Sequence, residues 1–129
     1  MAGELLFGEE TYKIIGACIQ VHKNLGSGFS EEVYAQALAK EFTTLNIQFE
    51  QHKKLPIYYN EEALDQYFVA DYVCFDHILL QIKCVNRLKE NLTKQVVNYL
   101  KTTHKEVGLI INFGEESLKW KRVINTISV

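Results

Sequence analysis

Proline is nearly absent: Pro56 stands alone in 129 residues. That excludes a proline-rich linker or a polyproline recognition tract, and Pro56 itself, set among apolar residues, marks a strand edge or start. Cysteine is scarce and odd in number. Cys18, Cys74 and Cys84 have no Cys-x-x-Cys spacing, which argues against a disulfide framework or a zinc site. Reduced, buried thiols in a cytoplasmic protein are the expectation. No apolar run is long enough to span a bilayer, and the N-terminus lacks the charged start and apolar stretch of a secretion signal. Also missing are a glycine-rich phosphate loop after a strand, a nucleophile elbow and a Cys/His pair in catalytic order. Repeats, linkers and low-complexity tracts are absent too.

What is present is enough apolar material, 47% of the chain, for one real core, and the length suits a single domain over residues 1–129. The net charge of −2 does not describe a polycation, but its distribution is uneven. Residues 1–82 carry 5 basic and 12 acidic side chains, whereas residues 83–129 carry 9 basic and 4 acidic. The second half is suited to facing a polyanion while the first faces water.

Periodicity divides the chain. Tyr12, Ile15, Ile19 and His22 recur at helical spacing over Glu9 to Asn24, and Gly26-Ser27-Gly28 ends that helix. Ser30 reads as the N-cap of a second helix, Glu31 to Leu45, with Tyr34, Leu38, Phe42 and Leu45 on one stripe. Strand patterns follow at 47–50, 54–59, 65–75 and 78–85. A third helix spans Lys89 to Thr103, and strands at 107–112 and 117–124 close the chain. The order ααββββαββ predicts an α/β fold, a mixed sheet flanked by helices, with 79–112 as a crossover between parallel strands.

The polar residues that carry chemistry are Asp71, Gln81-Ile82-Lys83 and Gln95-x-x-x-Tyr99. A carboxylate and a second oxygen suit a divalent cation, and a lysine offsets charge on a phosphoryl group. Gln81 and Lys83 share a strand face. A two-residue turn at Asp76-His77 would pair Asp71 with Ile82 and turn it away from both; a three-residue loop or a bulge pairs it with Gln81 and is expected to unite all three side chains. Glu31 lies beside the apolar stripe of the second helix, and Gln95 sits between Leu92 and Tyr99 on the third. Plainer readings stand beside these. Asp71 and Lys83 form a simple ion pair, Glu31 serves only the helix N-terminus, and Tyr34, Tyr99 and His22 are core residues with satisfied polar atoms. His52, His77 and His104, in loops or at element ends, suggest no role.

Taken together, Gly28-x-x-Glu31-x-x-Tyr34, Asp71, x-Lys83 and Gln95-x-x-x-Tyr99 resemble the GxxExxY proteins of the PD-(D/E)XK nuclease superfamily. The likeness runs from about Tyr12 to Ile124 and includes Ile14-Ile15-Gly16-Ala17, Val21-His22-Lys23-x-Leu25-Gly26, Leu55-Pro56-Ile57-Tyr58-Tyr59 and Gly108-Leu109-Ile110-Ile111-Asn112-Phe113-Gly114. It implies a restriction-endonuclease-like fold and a Mg²⁺- or Mn²⁺-dependent nuclease acting on DNA. Asp71 would be the central metal ligand, Gln81 would stand where Glu is usual, and Glu31 would be the helix carboxylate, with the Ile82 carbonyl a further oxygen. Lys83 would be the catalytic lysine. Gln95 and Tyr99 resemble the Q-x-x-x-Y helix of RecB-like exonucleases and would orient the strand. Gln81 departs from the pattern: an amide offers an oxygen without the charge, although Mrr-like restriction enzymes also carry Gln-x-Lys. The alternative is a non-catalytic module that keeps the fold and binds nucleic acid or protein. Oligomeric state is not legible.

Overall fold

The computed structural model describes residues 6–125. Helix α1 spans Gly8–Leu25, with Glu9 and Glu10 in its first turn and His22 and Lys23 in its last, charges that suit the helix dipole. Its inner face differs from the expected stripe. Ile14, Ala17, Cys18, Val21 and His22 are buried, while Tyr12 is 80% exposed. Small side chains carry this contact, so a pattern built on the bulkiest residues selects the wrong face. Gly26 caps the helix at φ 73, a conformation glycine adopts without a Cβ clash. Helix α2 spans Glu31–Thr44 and buries Tyr34, Ala35, Leu38 and Phe42. The Ser30 carbonyl, not its side chain, receives the first N–H groups of that helix.

Strands β1 (Phe49–Tyr59), β2 (Glu62–Cys74) and β3 (Ile78–Lys83) lead into helix α3 (Glu90–Thr103), then β4 (Val107–Asn112) and β5 (Lys119–Ile124). They form one sheet in the order β1-β2-β3-β4-β5, antiparallel except for the parallel β3/β4 pair that α3 connects. The two short strands expected at 47–50 and 54–59 are therefore one. Gln51-His52-Lys53 looks like a break because it is polar. Yet pairing resumes on both sides of it, Gln51 with Tyr72 and Lys53 with Ala70, and His52 absorbs the irregularity at φ 52.

The sheet separates two apolar layers. On one side α1 and α2 meet Tyr72, Cys74, Leu80, Ile82, Leu109 and Ile111. On the other, Val96 and Leu100 of α3 meet Ala70, Val73, Leu79 and Ile110. Gly108 lets α3 approach: a Cβ there would lie 2.8 Å from Val96 Cγ1. Residues two apart in a strand share a face, but Ala70 and Tyr72 belong to opposite layers. Strand β2 thus changes face at Asp71. The Tyr72 hydroxyl fixes that change by donating to the Ala35 carbonyl.

Burial sets the behaviour of the thiols. It pushes Cys18 far above the ordinary value, Cys74 up to about 12 and Cys84 up to about 11. Folding therefore favours the protonated form, and the linked stability is complete below the unfolded value near 9.0 and is lost as pH rises through the folded values. Two results are expected. In native protein Cys18 and Cys74 resist a thiol-specific reagent at pH 8 but react in urea, and the urea midpoint falls from pH 9 to 10.5. Rapid native labelling of Cys18 would refute the packing described.

Candidate active site

Cys74 pairs with Ile78, so the β2–β3 connection is the three-residue loop Phe75-Asp76-His77, with φ 53 and 63 at Phe75 and Asp76. This is the odd-numbered connection that the sequence argument required. The register, Tyr72 opposite Leu80, brings Asp71 to Gln81. Backbone pairing stops at Tyr72/Leu80, and side chains take over. The Asp71 N–H donates to Gln81 Oε1 at 3.0 Å, and the Ile82 N–H donates to Asp71 Oδ2 at 2.7 Å. Asp71 thus lies in a fork between β2 and β3, and its reciprocal bonds with the neighbouring strand replace one rung of the ladder.

Beside the fork is a hollow of about 150 Å³ lined by Glu31, Glu32, Ala35, His52, Asp71 and Ile82. Burial raises the Asp71 pKa; the Ile82 N–H, Lys83 and His52 pull it back, but the net direction is up. A carboxylate left short of compensation in this way is one that a cation would suit. Glu31 and Glu32 are exposed at the rim, so Glu31 is not the buried carboxylate its stripe suggested.

Lys83 does not share that hollow. Together with Val85, Arg87, Lys89, Asn91, Leu92 and Gln95 it lines a second one, of about 270 Å³. Among the described residues no ion pair joins Lys83 to Asp71; the salt bridges within 4.0 Å are Lys53–Glu50 and, for a protonated histidine, His77–Glu106. The expected union of Asp71, Gln81 and Lys83 around one cleft therefore does not form: Asp71 opens into an acidic hollow beside α2 and Lys83 into a separate basic hollow beside α3, because β2 changes face at Asp71. Lys83 is the last residue of β3, past the fork into which Asp71 turns, and it opens toward the start of α3.

The segment after Lys83 is clamped from β4. Buried Asn112 accepts from the N–H groups of Val85 and Gly114, both at 3.0 Å, and donates to the Val85 carbonyl at 2.9 Å and Glu115 Oε2 at 2.8 Å. That satisfies the amide completely. Gly114 lies so close that a Cβ would sit 2.5 Å from Val85 N and O. His22, buried as expected, donates from Nε2 to the Glu115 carbonyl at 2.9 Å and ties the same turn to α1.

The other predicted residues divide by role. Tyr34 is buried; its hydroxyl accepts from the N–H groups of Gly28 and Phe29, at 3.0 and 3.3 Å, and donates to the Gly26 carbonyl. Two members of Gly28-x-x-Glu31-x-x-Tyr34 thus build the turn between α1 and α2, and the third, Glu31, faces the acidic hollow. Gln95 reaches the Lys83 hollow as an exposed residue, whereas Tyr99 stacks on Phe68 with ring centroids 4.1 Å apart. Residues four apart point the same general way on a helix, but here they meet different partners. His52 was missed altogether. Its signal was its place opposite Asp71 on the neighbouring strand, which is invisible once 51–53 is read as a loop. The support from Asn112 and Gly114, and the basic lining from Arg87 and Lys89, carry no short sequence motif.

The donor atoms near the fork are mostly carboxylate and amide oxygens, with the His52 imidazole at the lining, a set richer in the hard donors that suit Mg²⁺ or Mn²⁺ than in those that suit Zn²⁺. Among the described residues no three His, Cys, Asp or Glu side chains come together as a ready ion cage. Mg²⁺, however, commonly takes one or two carboxylates and keeps its water, and the carboxylates lining this hollow are Asp71, Glu31 and Glu32.

A mixed five-stranded sheet with helices on both faces and its polar residues where β2, β3 and α3 meet defines a restriction-endonuclease-like domain. The profile of the PD-(D/E)XK nuclease superfamily matches residues 8–123, and the chain belongs to that superfamily. The crystal structure of SSO0001 superposes with TM-score 0.54 at 12% identity, covering 95% of this chain and 61% of that one. The likeness is one of fold, and this chain spans about three fifths of SSO0001's length. No curated protein matches.

Proposed function

We propose that the chain is a metal-dependent nuclease of the GxxExxY branch, hydrolysing phosphodiester bonds in DNA. The observation that carries this is Asp71, locked in the fork by Ile82 and Gln81, with Lys83 near enough on β3 to pull the Asp71 pKa down while it heads a separate basic hollow. Asp71 and Glu31 would hold Mg²⁺ or Mn²⁺, with Gln81 and the Ile82 carbonyl as neutral oxygens. The cation, when bound, supplies positive charge near the phosphate and makes water more acidic. Gln81 holds Asp71 in place through its N–H. Lys83 offsets the charge that builds on the phosphoryl oxygens. Gln95 positions the strand beyond Lys83, and Tyr99 supports α3 through Phe68.

The test is cleavage of single- and double-stranded DNA with Mg²⁺ or Mn²⁺. Lys83→Ala is expected to reduce cleavage by roughly 10²–10³-fold with little change in melting temperature, since the lysine is only half-buried. Cleavage insensitive to this change would sink the reading.

A second reading, a binding module without catalysis, draws on Gln81, whose oxygen already accepts from the Asp71 N–H. Gln81→Glu separates the two. An enzyme with a weakened site gains thermal stabilisation by Mn²⁺, because the new carboxylate is a charged ligand. A module that never holds a cation only loses stability, because the charge is added beside Asp71 without a counter-charge.

A further inference from the structure

Strand β5 is an edge strand, paired only with β4, and it begins Lys119-Trp120-Lys121-Arg122. Lys119, Trp120 and Lys121 are exposed, the indole to 42%. Lysines on an edge strand guard against sheet-to-sheet association, and that purpose explains them alone. It does not explain a tryptophan between them, which works against it.

The register connects this edge to the candidate active site. Lys83 pairs with Asn112 and Asn112 with Lys119; one row further, Gln81 pairs with Ile110 and Ile110 with Lys121. Paired residues share a face, so both lysines lie on the face of Lys83, two strands away, with backbone separations of about 10 Å for Lys119 and about 12 Å for Lys121. Among the described residues neither has an ion pair within 4.0 Å. Of the carboxylates in the preceding turn, Glu115 is bound to Asn112 and Glu116 is exposed. Trp120, opposite Ile111, lies on the other face of the same strand.

We infer that β5 is a docking edge for single-stranded nucleic acid, continuous with the strand handled at Lys83. Phosphates follow Lys119 and Lys121, and an unpaired base folds over the edge onto the Trp120 indole. A duplex cannot do this, because its bases are stacked inside; a flexible single strand can, and stacking on an exposed aromatic is tolerant of sequence. The inference rests on the proposed nucleic-acid reading of this face but not on catalysis.

Trp120 is the only tryptophan of the chain, so its emission reports the contact directly. In EDTA and low salt, oligothymidylate is expected to quench it saturably, with affinity falling as salt rises, and a duplex of equal length to quench it less. Oligouridylate serves as the RNA arm. Followed by anisotropy of labelled oligothymidylate, Trp120→Ala should weaken binding about tenfold, Trp120→Phe should retain most of it, and joint Lys119→Glu and Lys121→Glu should abolish it. All sites are exposed, so circular dichroism should be unchanged. Binding without a change in emission, absence of binding, or a change in emission with protein concentration alone, which would mark contact between two copies, overturns the inference. Quenching lost while Lys83-dependent cleavage persists refutes the edge only; quenching intact without cleavage refutes catalysis only.

Discussion

Asp71→Asn is expected to raise the melting temperature by a few degrees in EDTA while reducing cleavage by about 10²–10⁴-fold. The Asp71 pKa is raised, burial being the largest cause. The stability linked to it is therefore complete below the ordinary value of 3.8 and is lost as pH rises through the folded value. At neutral pH the wild type carries the cost of a poorly compensated charge. Asparagine removes the charge and still presents an oxygen to the Ile82 N–H, so the fork stays closed. The same substitution should erase any stabilisation by Mg²⁺ or Mn²⁺. A group retained against stability is the mark of a functional position. Calorimetry with and without cation, beside a cleavage assay, decides the matter: a less stable variant of unchanged activity would make Asp71 a structural residue only.

Asn112→Ala is expected to cost about 3–5 kcal/mol, among the largest effects of any substitution in the chain. Four hydrogen bonds around the fully buried Asn112 disappear, and the Val85 N–H and carbonyl and the Gly114 N–H lose their partner in a partly buried place. Gly114→Ala should cost about 2–4 kcal/mol for a different reason. The new methyl meets Val85 and Cys84 backbone, which cannot rotate aside as a side chain can. Because that backbone directly follows Lys83, both variants should lose cleavage out of proportion to the fraction unfolded. Urea denaturation with single-turnover cleavage in fully folded samples tests this. Small losses in midpoint would mean that the clamp is not what holds the segment.

The readability of the sequence follows how local each cause is. The helices, the parallel pair β3/β4 and the chain order from α3 onward were legible because period and turn residues act over a few positions. The meeting of Asp71 with Gln81 was legible as a condition, an odd-length loop, since strand parity links turn length to facing. His52 was not, because its place depends on pairing between β1 and β2, a contact distant in sequence and masked by polar neighbours. The separation of Lys83 from Asp71 into two hollows was also hidden. It arises where β2 changes face, which depends on Tyr72 reaching the Ala35 carbonyl on α2. The inner face of α1 was misread because Ala17 and Cys18 contribute close approach instead of bulk.

The fork has a consequence for what loading would do to the molecule. Gln81 Oε1 and Asp71 Oδ2 each hold a main-chain hydrogen of the other strand, and the fork's two bonds use only one oxygen of the Asp71 carboxylate. Under the proposed function the other oxygen can serve an ion with both bonds kept. Loading would then protect the amide protons at positions 71 and 82 further against solvent deuterium, so the exchange rates of those two hydrogens would serve as a built-in gauge of occupancy.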